Sequence, residues 1–197
     1  VPAMTTSSEL VVNGMSLSKR DSPFANSGLV VGVDPDDLRA AGLEGPLAGL
    51  EFQRRIEARA MELGGGSLRA PSTLARDFLA GRASEAARET SYLPGLTPTD
   101  LSLALDAGGV PIAKKLRDAL RVFDGRIEGY AGGEAQLVGV ETRTSSPVRI
   151  VRDPRSLESP SVSMLFPAAE GAGYAGGIVS AAMDGQRIAR RIAEAFG

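Results

Sequence analysis

A chain of 197 residues with 43% hydrophobic and 23% charged side chains can bury an ordinary globular core, and its net charge of −2 argues against nucleic acid or an anionic membrane as the main partner. It has no cysteine, which excludes disulfides, thiol redox chemistry and thiolate metal sites, and no histidine, so acid–base work falls to Asp, Glu, Lys, Tyr or a cofactor. No long apolar run and no basic-then-apolar leader is visible, which predicts a cytoplasmic protein without a membrane span.

The chain opens with Val1-Pro2, which fits a processed terminus or a piece of a longer protein. Residues 9–12 (ELVV) and 28–33 (GLVVGV) read as short strands. Asn13-Gly14 and Asp21-Ser22-Pro23 supply turn signals between them. "DPDDL" at 34–38 suits the cap of a short helix. From Pro46 to Leu63 the period is helical, with Leu47, Leu50, Ile56, Ala60 and Leu63 as the apolar stripe and Gly64-Gly65-Gly66 as terminator. A second helix is expected over Ser72–Ala80, capped by Ser72 and stopped by Gly81.

Residues 82–98 read as a polar connector, and "TPTDL" at 97–101 as another helix start. The next helix spans about Val110 to Phe123, with Ile112, Leu116, Ala119, Leu120 and Phe123 on one face. Strands are expected at 135–144 and 148–151, bent at Ser145-Ser146-Pro147. Two prolines and mixed charge over 152–161 suggest a boundary between a lobe of residues 1–158 and a tail of residues 159–197. The tail reads as a strand at 162–167, a glycine loop, and a helix over 177–196. The fold class is therefore α/β, an α+β lobe followed by part of a Rossmann-type unit.

The loop contains G-x-G-x-x-G, formed by Gly171, Gly173 and Gly176, with Gly177 behind. Such a loop lets backbone amides and a helix N-terminus approach an anion, or serves as a tight turn whose glycines allow close packing. The following strand and acidic residue of a full dinucleotide fingerprint are missing, because the chain reaches Gly197 first. Glu170 stands before the loop, either to accept hydrogen bonds from sugar-like hydroxyls or to complement the helix dipole. "VETRTSSPVRI" at 140–150 is unusually polar for a strand pair. Its Arg143 and Arg149 suit either a solvated face or a fork for a carboxylate or phosphate. Lys19, Arg20 and Asp21, and the Glu and Arg residues of the first long helix, read as surface decoration.

Taken together, "NGMS…ANS", "LAGLEFQRRIEARAMELGGGSLRAPSTLARDFLAGR", "VGVETRTSSPVRIVRD" and "LFPAAEGAGYAGGIVSAAMDG" resemble successive blocks of a family of bacterial FAD-dependent dehydrogenases. The resemblance is collinear over nearly the whole chain. It implies a glutathione-reductase-like FAD-binding lobe with a second lobe inserted into it, the tail returning to the FAD lobe. It implies that Glu170 meets the ribityl or pyrophosphate region, and that the amides near Gly176, Gly177 and Ile178 face the pyrimidine edge of the flavin. The family's N-terminal glycine motif is absent from these residues, so the resemblance is to the C-terminal part. FAD is expected to bind in the complete protein, with weak or no retention by this chain.

The primary functional expectation is thus a portion of an FAD-dependent oxidoreductase, a dehydrogenase, that passes hydride or electrons through the flavin, with a small-molecule substrate. No metal, nucleic acid or membrane is expected. The unpaired tail strand is expected to offer a route to self-association. The alternative is a non-catalytic interaction or small-ligand-binding module that takes no flavin.

Overall fold

A computed structural model describes residues 1–3, 6–14 and 18–196, together with the backbone but not the side chain of Phe196. Met15-Ser16 of the "NGMS" stretch lies outside the described residues. The chain folds as two units, Val1–Thr142 and Arg143–Gly197. The architecture is mixed α/β, with several helices and a small open sheet.

In the first unit, helix α1 spans Pro35–Ala40. Asp34 caps it by accepting from the amides of Asp36 (2.8 Å) and Asp37 (3.0 Å), with Pro35 in the first turn where no amide is needed. Helix α2 spans Ala48–Leu63. Its buried stripe is Ala48, Phe52, Ile56, Ala60 and Met61. Leu47 and Leu50, expected on that stripe, are 61% and 41% exposed. The helix is rotated so that Phe52 enters the core, and it lies so close to Gly108 that a β-carbon there would overlap the Phe52 ring. Gly65 and Gly66 take positive φ (82° and 68°) and turn the chain, while Gly64 stays right-handed against the Arg69 carbonyl.

Strand β1, Ala70–Leu74, is buried along its whole length. It pairs in parallel with β2 (Leu96–Pro98), Ala70 facing Leu96, and antiparallel with β3 (Gln136–Val138), Ser72 facing Val138. The expected helix over 72–80 is corrected accordingly. Ser72 lies in the central strand, and helix α3 begins only at Ala75, running to Ala80 with Gly81 in the left-handed C-cap. Flanking strands override the local capping preference, because they satisfy backbone groups that the helix would otherwise take. Ser84 acts at this strand-to-helix junction: its hydroxyl accepts from the Leu74 amide and donates to Asp77, both at 2.8 Å.

Helix α4, Ser102–Leu105, starts where Asp100 accepts from the Ser102 amide (2.9 Å). Helix α5, Ile112–Asp124, buries Ile112, Ala113, Leu116 and Leu120. Lys115 on α5 reaches Asp37 on α1 (3.0 Å). The core joins these helices to Leu10, Val12, Phe78, Leu96, Leu101 and Val140.

Several expected strands do not form. Residues 9–12 make one bridge, Val12 to Pro2, and residues 28–33 are extended without a ladder. The expected strand at 135–144 is shortened to β3. In the second unit, 148–151 and 162–167 lie outside any strand. At 162–167 the chain folds back on itself: the Ser159 amide donates to the Leu165 carbonyl (2.7 Å) and the Met164 amide to Glu158 (2.6 Å). A buried parallel strand needs neighbours on both edges, and the unit offers no sheet for this segment to join. Helix α6 then spans Ile178–Phe196. No described helix is long and apolar enough to cross a membrane.

The Thr73 hydroxyl donates to the Thr99 carbonyl (2.7 Å) and accepts from the Leu101 amide (2.9 Å) in the buried middle of the sheet. Thr73→Val strands both groups and should lower unfolding free energy by about 2 kcal/mol, whereas Thr73→Ser should cost less than about 1 kcal/mol. Denaturant titrations of the two variants give the comparison.

Candidate functional site

The glycine loop enters α6 through Gly176 and Gly177. A side chain added at Gly171 or Gly176 would meet nothing within 4 Å, so this surface is open. Gly173 differs. Its φ is +80°, and a β-carbon there would run into the Val148 carbonyl and the Arg149 backbone. Its lack of a side chain lets the loop lie against the 148–150 segment, where the Ile150 amide donates to the Ala172 carbonyl (3.1 Å).

The loop is shaped by a buried charge pair. Arg152 and Asp184 have side chains only 5% and 11% exposed. Arg152 donates through Nη1 to Oδ2 (2.9 Å) and through Nη2 to Oδ1 (2.7 Å), a two-pronged match of fork to carboxylate. Nη1 also donates to the Pro167 carbonyl (2.8 Å), and Asp184 accepts from the Ala169 amide (2.8 Å). Both ends of the pair thus grip the chain just before the loop. Ala169 is held at φ +56°, a region costly for a residue with a β-carbon. The Tyr174 ring lies under the Arg152 guanidinium (3.7 Å), and its hydroxyl donates to the Ile150 carbonyl (3.1 Å). The loop closes on itself as the Tyr174 amide donates to the Ala169 carbonyl (2.9 Å).

On this support sit the sequence-derived candidates. Glu170 is exposed, and its carboxylate has no hydrogen-bond or ion-pair partner among the described residues. Gly176, Gly177 and Ile178 are exposed, Ile178 at 91%, with Val179 and Met183 beside them on α6. The first-turn amides of a helix lack partners within the helix, and its dipole favours negative charge there. Arg149 is brought to the loop: its Nε donates to the Gly173 carbonyl (3.1 Å) and its guanidinium lies 5.1 Å from the Tyr174 ring. Arg143, the first residue of the unit, is exposed. No cluster of His, Cys, Asp and Glu able to hold a metal occurs among the described residues.

This surface offers a carboxylate without a partner among the described residues, open glycines, exposed amides and exposed apolar side chains. Sequence reading missed Arg152, Tyr174 and Asp184, which hold the loop in shape. The signal was slight: a carboxylate inside an otherwise apolar helical turn, and an arginine in a stretch read only as a boundary.

The Arg152 guanidinium and the Ala169 amide hold the Asp184 carboxyl down to about 2. Because the folded carboxyl takes up its proton less readily than the unfolded one, its stabilisation is complete above about pH 4 and is lost as pH falls toward 2. Asp184→Asn should lower stability at neutral pH by about 3 kcal/mol, since it leaves a buried cation unpaired. It should also flatten the dependence across that acid window. Thermal unfolding followed by circular dichroism at pH 7, 4 and 2 would show both effects.

Residues 1–144 match the family described as "FAD-dependent protein, C-terminal domain-like". An "Uncharacterized protein" of Clostridium beijerinckii is 44% identical over 198 residues, covering 100% of this chain and 36% of that protein. The chain therefore spans about a third of that relative's length. The match over residues 1–144 places the chain in the FAD-dependent protein C-terminal domain-like family.

Proposed function

We propose that these residues supply the flavin-side closing surface and the substrate-side lobe of an FAD-dependent oxidoreductase. The observation that carries this reading is the exposed, unpartnered Glu170 carboxylate beside the open Gly176-Gly177 entry to α6, on a loop already braced from behind. Family membership supports the association with FAD.

When bound, FAD supplies hydride and electron transfer at its flavin ring. Glu170 accepts hydrogen bonds from the sugar-like chain. The amides of Gly176, Gly177 and Ile178 donate toward the pyrimidine edge, and the α6 dipole favours negative charge at that point. Gly171 leaves the approach clear, and Gly173 keeps the loop against its support. Arg149, and Arg143 before it, are the proposed substrate-side cations. With no histidine or cysteine in the chain, proton movement on this side rests on carboxylates, Tyr or Lys.

The test is an FAD titration of the longer C. beijerinckii relative, followed by flavin fluorescence. Alanine at the position aligned with Glu170 should weaken binding by about tenfold or more. A full-length relative that is colourless and indifferent to added FAD would end the proposal.

A second reading, a small-anion-binding module without flavin, is favoured by one feature. Arg155, Arg187, Arg190 and Arg191 line a cavity of about 370 Å³ with a single carboxylate, Glu194, among the lining residues. Arg187, Arg190 and Arg191 share one face of α6 by their three- and four-residue spacing. Calorimetric titration of this chain with inorganic pyrophosphate should give a heat that Arg190→Glu reduces by about tenfold in affinity. An unchanged affinity in that variant would dismiss the groove.

A further inference from the structure

We propose that residues 28–33 are a preformed docking strand for a β-strand from elsewhere in the longer family polypeptide. The segment has the alternation of a strand. Leu29, Val31 and Val33 pack against the hydrophobic core, while Val30 is 71% exposed and Gly28 and Gly32 are exposed between them. A side chain added at either glycine would meet nothing within 4 Å. Yet no backbone amide or carbonyl from Gly28 to Val33 makes a hydrogen bond among the described residues.

This combination is unusual for an ordinary loop. A loop without backbone partners is normally polar and free of the core, whereas this one is apolar, extended and anchored on one face. Ser27 adds an anchor through its hydroxyl contact with Tyr130 (2.7 Å). What is left open is a row of donors and acceptors that water or another extended backbone can satisfy. The regular spacing of that row suits polypeptide in β conformation rather than a small ligand, the mode by which a strand adds to a sheet edge.

The source follows from length. The chain matches the C. beijerinckii relative from end to end yet covers 36% of it, so that protein holds abundant further polypeptide. The pairing residues are Leu29, Val31 and Val33 on one edge and Val30 and Gly32 on the other. Val30 and the glycines give the added strand a flat, apolar neighbour. This inference is independent of the flavin reading.

Amide hydrogen exchange measures the pairing directly. In this chain, purified and monomeric, the amides of residues 29–33 should exchange within about tenfold of unstructured rates, while in the longer relative the amides aligned with Val30 and Gly32, the edge that takes the single added strand, should be protected by about 100-fold or more. Proline at the position aligned with Val30 removes one donor and should abolish that protection, whereas threonine there should keep it. Val30→Pro in this chain should leave the melting temperature unchanged, because no bond is lost. Aligned amides that exchange freely in the longer relative would overturn the proposal. So would protection in the monomeric chain, or protection that grows with chain concentration, which would make a second copy the partner.

Discussion

The buried pair of Arg152 and Asp184 is the constraint on which the candidate site depends. A guanidinium and a carboxylate out of water are tolerated only when nearly all their hydrogen-bonding capacity is filled. Here the remaining capacity is filled by backbone: the Pro167 carbonyl on one side and the Ala169 amide on the other. The requirement to satisfy the charges therefore dictates where the chain runs before the glycine loop. Tyr174 extends the same clamp to the loop's far end. Glu170 and the α6 entry face solvent.

The first unit is organised by a comparable requirement around β1. A five-residue strand buried from end to end, with serine and threonine inside it, is stable only if both edges are paired and both hydroxyls are bonded. The parallel partner β2 and the antiparallel partner β3 meet the first condition, and the 97–101 segment meets the second. Helices α2, α3, α4 and α5 then pack around this sheet through one apolar core. The sheet is small and open, consistent with an incomplete α/β domain.

The functional reading joins a family assignment to a surface. Membership supplies the association with FAD. The surface adds a carboxylate without a partner among the described residues, open glycines and exposed first-turn amides, which the proposal assigns to the flavin. The arginine groove along α6 and the extended, unpaired segment at 28–33 lie outside that reading. Each presents a different unmet demand, a surplus of positive charge in one case and a row of unpaired peptide groups in the other.

The sequence by itself determined where most of the helices lie, several of their terminators, and the loop that carries the candidate site, but not the start or cap of α3. Asp34, Asp100 and Gly81 act within a few residues of themselves, and the apolar spacing of α5 declares its buried face. Of the strands, only β3 lay within a stretch read as extended; β1 was read in part as a helix start and β2 as connector, while the extended stretch at 28–33 joins no ladder. Val30 and Val31 look as strand-like as β1 does, and "APSTL" looks like a helix cap. The clamp was not legible either, since Arg152 and Asp184 are thirty-two positions apart. Only the tertiary structure decided these points, because a ladder and a buried ion pair are made by partners distant in the chain.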